Sequence, residues 1–205
     1  MAQFPSLSGA SGRWQLREQR RAVRGDNWTT LNSFESIASY TAPSGGSNGV
    51  ITFSSIPQIY KHLHIRGILR SDRASTYDSA YVYFNSDQTL SNYTLHGLRG
   101  DGTTASSFGY GTASAAGNQL PLFFGNSPTS QMFGIFIMDV LDYTDTNKYK
   151  VARAIGGCDY NGGGVVDFTS SAWINNTAIT SITFKSVNAT EFLEYSSIAL
   201  YGVRG

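Results

Sequence analysis

The amino-acid sequence predicts an all-β protein, an antiparallel jelly-roll sandwich of about ten short strands behind an N-terminal arm that contains one short helix. Three observations predict it. The chain has 205 residues and 40% hydrophobic content, enough for one domain with a real core. It carries 22 glycines together with many Ser, Thr and Asn residues, a composition rich in turn formers. From Leu31 to the C-terminus, short apolar or alternating runs sit between Gly, Ser, Asn and Asp clusters at hairpin spacing, and no second helical pattern intervenes. The expected organisation is an arm over residues 1–30 and a jelly-roll domain over 31–205. No internal repeat of the propeller or solenoid kind is found.

Met1–Ser11 is small and polar and reads as extended, with Phe4 and Leu7 its only anchors. It lacks the basic start and apolar middle of a signal peptide, so synthesis in the cytosol is expected. Gly12–Trp28, GRWQLREQRRAVRGDNW, holds five of the 15 basic residues: Arg13, Arg17, Arg20, Arg21 and Arg24, against Glu18 and Asp26. Within it Arg13–Arg24 reads as a helix. Trp14, Glu18 and Ala22 lie four apart, as do Leu16, Arg20 and Arg24. Ser11 is placed to cap its start and Gly25 to end it in the left-handed conformation. At roughly three turns it falls below the ~12–15 residues of a marginally stable isolated helix, so it needs a docking surface.

Beyond the arm, Glu35–Tyr40 and Val50–Ser54 are short strands around PSGGSNG (Pro43–Gly49), whose Asn48-Gly49 is a hairpin signal. Tyr60–Arg70 is the clearest strand. Lys61, Leu63, Ile65, Gly67 and Leu69 form its mostly inward face, and Tyr60, His62, His64, Arg66, Ile68 and Arg70 the other. Ala80–Asn85 and Tyr93–Arg99 follow, with Asp101-Gly102 as the next turn. Thr103–Asn118 is rich in Gly, Ala, Ser and Thr and reads as a long surface loop and a contact region. Leu120–Phe124 resumes the apolar signal. Met132–Leu141, MFGIFIMDVL, is apolar on both faces until Asp139, the pattern of a central strand covered on both sides. Lys148–Ile155 alternates, Asn161–Gly164 turns into Val165–Thr169, and Ala178–Ser186 and Tyr195–Val203 close the fold.

Charge narrows the function classes. Only 14% of residues are charged, well under the usual quarter, which suits a surface packed against neighbours. The formal net charge of +1 divides into +3 over residues 13–26 and −2 over the rest, so the body is not a polyanion binder. The single cysteine, Cys158, rules out an intrachain disulfide. No run approaches the ~18 apolar residues of a membrane span.

Catalytic and metal chemistry is sought and not found. His62 and His64 form an H-x-H pair with both rings on one strand face, a geometry that holds metals, but Arg66 shares that face and His96 is the one remaining histidine. Asp139, Asp142 and Asp145 raise calcium, but counting from Asp142 gives Thr144 and Thr146, with Arg153 where the bidentate Glu belongs. Glu35, Glu191 and Glu194 form no paired-carboxylate motif. Gly162-Gly163-Gly164 runs into Val165-Val166, without the Lys and Ser/Thr of a phosphate loop, and neither G-x-S-x-G nor H-E-x-x-H occurs. Arg24-Gly25-Asp26 matches an integrin tripeptide, but Gly25 is better explained as a helix stop. The expectation is a protein that is not an enzyme and uses neither cofactor nor metal. For the arginine run, Glu18 interrupts the charge and Trp14 and Trp28 flank it as hot-spot anchors, which favours a protein surface over nucleic acid.

The arm's Gly12, Trp14, Leu16, Glu18-Gln19, Gly25 and Trp28 resemble segments of virion proteins from tailed bacteriophages. SSIPQIYKHLHIRGILRSD (Ser54–Asp72), YFNSD (Tyr83–Asp87), NYTLHGL (Asn92–Leu98) and YSSIALYGVRG (Tyr195–Gly205) resemble a jelly-roll module of phage structural proteins, including those of phages infecting cyanobacteria. The resemblance covers nearly the whole chain and implies a non-enzymatic homotrimer or other symmetric homo-oligomer on the virion. The leading expectation is a capsid decoration or cement protein. Its partner-binding arm (Trp14, Leu16, Arg17, Arg20, Arg21, Arg24 and Trp28) would dock on other virion proteins, the major capsid protein first, with no membrane and no nucleic acid involved. The alternatives are a tail fibre or tail-associated protein, and a lectin-like module with Tyr60, Tyr77, Tyr81 or Tyr110 stacking on host glycans.

Overall fold

Strands form where the sequence alternates, and the computed structural model describes them over residues 34–111, 118–127 and 131–205. In chain order they are β1 (Phe34–Thr41), β2 (Val50–Phe53), β3 (His62–Leu69), β4 (Tyr77–Asp78), β5 (Ala80–Phe84), β6 (Tyr93–Gly100), β7 (Ala105–Tyr110), β8 (Phe123–Phe124), β9 (Gly134–Leu141), β10 (Lys150–Tyr160), β11 (Gly163–Trp173), β12 (Ile182–Ser186) and β13 (Ser197–Val203). One 3-10 turn, Leu90–Asn92, precedes β6. The expected arm helix, Arg13–Arg24, lies outside the described residues.

The strands build a large antiparallel sheet of eight, in the order β1-β13-β3-β9-β10-β11-β6-β7, and a smaller one of three, β2-β12-β5. A two-stranded pair, β4-β8, stands beside them. The small sheet packs on one face of the large one. Leu63, Ile65, Met138, Val140 and Leu200 from the large sheet meet Ile51, Val82, Ile182 and Phe184 from the small one in a single buried cluster. Aromatic rings cross the layer: Phe136 to Phe184 at 6.1 Å and Phe84 to Trp173 at 5.7 Å between centroids. The all-β class and the antiparallel, two-layer arrangement are therefore as expected.

Four local expectations need correction. Strands number thirteen among the described residues, because β4 and β7 carry too few apolar side chains in sequence to stand out. Thr103–Asn118 is not one long loop: Ala105–Tyr110 pairs with β6 from Gly100↔Ala105 to Leu95↔Tyr110, and Phe108 lies over Gly97, whose missing side chain leaves room for the ring. The Asn48-Gly49 signal closes no hairpin. β1 pairs with β13 and β2 with β12, so Pro43–Gly49 crosses from one sheet to the other, with Gly49 at φ +72°. Tyr60 and Arg70, expected on the outward face, are both buried, because β3 runs only from His62 to Leu69 and strand parity stops at both ends. The Arg70 guanidinium donates to the Met132 carbonyl at 2.9 Å.

The two-residue turn Asn161-Gly162 does connect a tight hairpin. β10 and β11 run in unbroken register from Tyr160↔Gly163 to Lys150↔Trp173, and Gly162 takes φ +86°.

Candidate functional site

The distinctive surface is the face of the large sheet turned away from the small one. In β9 the inward residues Phe136, Met138 and Val140 are buried, while Ile135, Ile137 and Leu141 are exposed. The same alternation leaves Val151 and Ile155 of β10, Val166 and Phe168 of β11, Leu98 of β6 and Ile68 of β3 exposed. Met132–Leu141 is thus a central strand, as its sequence predicts, but no part of the described residues covers its second face. A half-exposed sheet normally reads apolar-in, polar-out. This one reads apolar on both sides, and contiguous exposed apolar surface of this extent marks an interaction site.

Strand register resolves the face into two parallel rows. In the first, Ile137 stands opposite Ile155, Ile155 opposite Phe168 and Phe168 opposite Leu98, a ridge across four adjacent strands. In the second, Ile135 stands opposite Gly157, Gly157 opposite Val166 and Val166 opposite Gly100. Glycines alternate with branched side chains there, so the second row is a trough. It forms the floor of an open apolar hollow of about 970 Å³. A Cβ placed on Gly100 would meet nothing within 4 Å.

Polar groups frame the apolar rows. Arg66 donates from Nε to His64 Nε2 at 3.0 Å, which makes Nδ1 the protonated nitrogen, and it contacts Asp139 Oδ1 at 2.5 Å. His62 Nδ1 accepts the Asp142 amide at 3.0 Å. The two histidines share a strand face, as expected, yet both are engaged by neighbours. His96 stands on β6, four strands from β3 and so roughly 19 Å away. Among the described residues, no three His, Cys, Asp or Glu side chains group as metal ligands would.

The three acids considered for calcium are also partnered. Asp139 holds His64; Asp142 is ion-paired with Lys61 at 3.1 Å and with Lys148; Asp145 lies 3.4 Å from Lys148. The hydrogen bond from Lys148, and then that from Lys61, hold the Asp142 carboxyl down at about 2.

The tyrosines considered for glycan stacking lie on separate elements: Tyr60 before β3, Tyr77 on β4, Tyr81 on β5 and Tyr110 on β7. Tyr60 is buried and donates to Glu35 Oε2 at 2.8 Å. Tyr77 stacks on Phe124, Tyr81 on Tyr83, and Tyr110 lies tilted against Phe108. Trp14, Leu16, Arg17, Arg20, Arg21, Arg24 and Trp28 lie outside the described residues. Sequence reasoning missed the open face itself, although the two-sided apolar pattern of Met132–Leu141 was its visible signal.

No protein-family model matches the chain, and neither a curated protein nor a solved structure matches it.

Proposed function

We propose that this chain is a non-enzymatic structural protein of a tailed-phage virion, most specifically a capsid decoration or cement protein. Its body would be a symmetric homo-oligomer and its basic arm would dock on the major capsid protein. The observation that carries this reading is the apolar outer face on a body with few charges, the surface of a part buried in an assembly. Strand order supports a jelly roll for the body. β1-β13-β3-β9 in one sheet against β2-β12-β5 in the other is the interleaving produced when two Greek keys fold over each other. Residues 118–120 supply a fourth strand position in the small sheet: the Val82 amide donates to the Asn118 carbonyl at 2.8 Å, and the Leu120 amide to the Ala80 carbonyl at 2.9 Å. The hairpins β6-β7 and β10-β11 then widen the large sheet beyond that plan.

The test is the copy number of the protein in purified particles, relative to the major capsid protein, by quantitative mass spectrometry. A ratio comparable to the capsid subunit is expected. A few copies per particle would move the protein to the tail, and absence from particles would discard the virion reading. Replacing Trp14 and Trp28 by Ala should abolish particle binding and leave the body folded; unchanged occupancy would sink the docking role of the arm.

A further inference from the structure

We infer that the open face of the large sheet is covered by a second copy of the same chain, in a two-fold contact centred on Gly156 of β10. This deepens the assembly reading above by naming the surface and its occupant.

The pattern along β10 is self-complementary. Arg153, Ile155, Gly157 and Asp159 all project on the open side, because alternate residues of a strand share a face. A two-fold axis lying in the interface, parallel to the rows and passing over Gly156, exchanges residue 155 with 157 and residue 153 with 159. Ile155 of one copy then enters the glycine gap at Gly157 of the other, and Arg153 of one faces Asp159 of the other. Both charged residues are exposed in the isolated chain, and neither has an ion-pair partner among the described residues. The same rotation lays the whole ridge, Ile137 to Leu98, along the other copy's trough, Ile135 to Gly100. Ridge and trough have equal lengths, because the register across these four strands has no break. A contact in which each patch meets its own copy is isologous, the commonest way for a protein to pair.

The two rows and their flanking charges cover four strands, about 19 Å, by residues 153–159, about 23 Å, a projected area of roughly 440 Å² per copy before side-chain relief, at the small end of specific protein contacts. Two sheets packed face to face at about 10 Å, with strands near alignment, is a common arrangement of β layers.

The experiment measures the mass of the purified full-length chain by sedimentation over a concentration series. A dimer or an even-numbered oligomer is expected. Ile155→Asp should raise the dissociation constant by about 100-fold, about tenfold for each of the two symmetric sites. Val50→Asp, on the exposed side of the small sheet, should leave it unchanged and serves as the folding and charge control. Arg153→Asp should weaken pairing by about tenfold, and adding Asp159→Arg on the same chain should restore it. A chain that stays monomeric at about 100 μM would overturn the inference, whether its own N-terminal segment or another protein covers the face. An odd-numbered oligomer, or an assembly indifferent to Ile155→Asp or not rescued by the charge exchange, would overturn it too. Particle copy number leaves this result untouched, so the two readings fail separately.

Discussion

Asp78 offers the sharpest test of what holds the described body together. Its side chain is fully buried at the end of β4, and four donors converge on it. Ser79 N–H at 2.9 Å and Asn188 Nδ2 at 2.6 Å reach Oδ1, while the hydroxyls of Ser71 at 2.6 Å and Thr190 at 2.7 Å reach Oδ2. One carboxylate thereby joins the segment after β3 to the β12–β13 connection, across more than 100 residues of chain. Asp78→Ala removes the acceptor from all four. Each hydrogen bond to a charged group contributes about 1.5–3 kcal/mol, but the Thr190 hydroxyl has another partner, Ser186 Oγ at 2.6 Å. A loss of about 4 kcal/mol follows, within the range for stripping one partner from a buried charged network. Asp78→Asn should cost only about 1–2 kcal/mol, because both hydroxyls can turn to accept from its amide. For a body of this size these losses lower Tm by about 2–4 °C per kcal/mol. Urea unfolding at pH 7 measures both, with an unchanged m-value showing that the two states are otherwise the same. If Asn proves as damaging as Ala, charge rather than acceptor count governs the site. If Ala costs under about 1 kcal/mol, the network contributes little, and the reasoning fails.

Two further outcomes are expected of the same body. Gly67→Ala should destabilise by about 2 kcal/mol, since its Cβ would stand 2.2 Å from Cε1 of the buried Phe136 ring; Gly111→Ala, which meets nothing within 4 Å and lies outside the ridge and trough, should cost far less in the same melt. Stability should also fall as pH rises from about 9 toward 12. Burial pushes the Cys158 thiol and the Tyr77 and Tyr83 phenols up to about 12, whereas in the unfolded chain they ionise near about 8.5 and 10. The folded state therefore binds more protons across that window, and unfolding free energy declines with pH. A urea midpoint that is flat between pH 8 and 10.5 would contradict this assignment.

Strand positions were legible in the sequence wherever one face is buried. Leu63, Ile65 and Leu69 point inward as their spacing predicts, and Asn161–Gly164 marks the turn before β11, which the structure tightens to Asn161-Gly162 by taking Gly163 and Gly164 into the strand. Ala105–Tyr110 was not legible, because an edge strand of Ala, Ser, Ser, Phe, Gly and Tyr gains its partner from the neighbouring strand rather than from its own apolar content. Asn48-Gly49 misled for a related reason. The turn residue supplies the positive φ, but the strands that flank it choose their partners elsewhere.

What the sequence determined by itself is therefore local: the all-β class, most strand centres, the inward apolar residues of β3, and a low-charge body with a basic arm. These follow from side-chain alternation and turn chemistry, which act over a few residues. Strand order, the crossing of Pro43–Gly49 between sheets and the Asp78 network were decided by the tertiary structure alone. So were the ridge and trough, since Ile137, Ile155, Phe168 and Leu98 become one surface only when β9, β10, β11 and β6 lie side by side. Nothing in a strand's own residues specifies which neighbour its backbone will pair with; that choice is made by the burial of the whole sandwich at once.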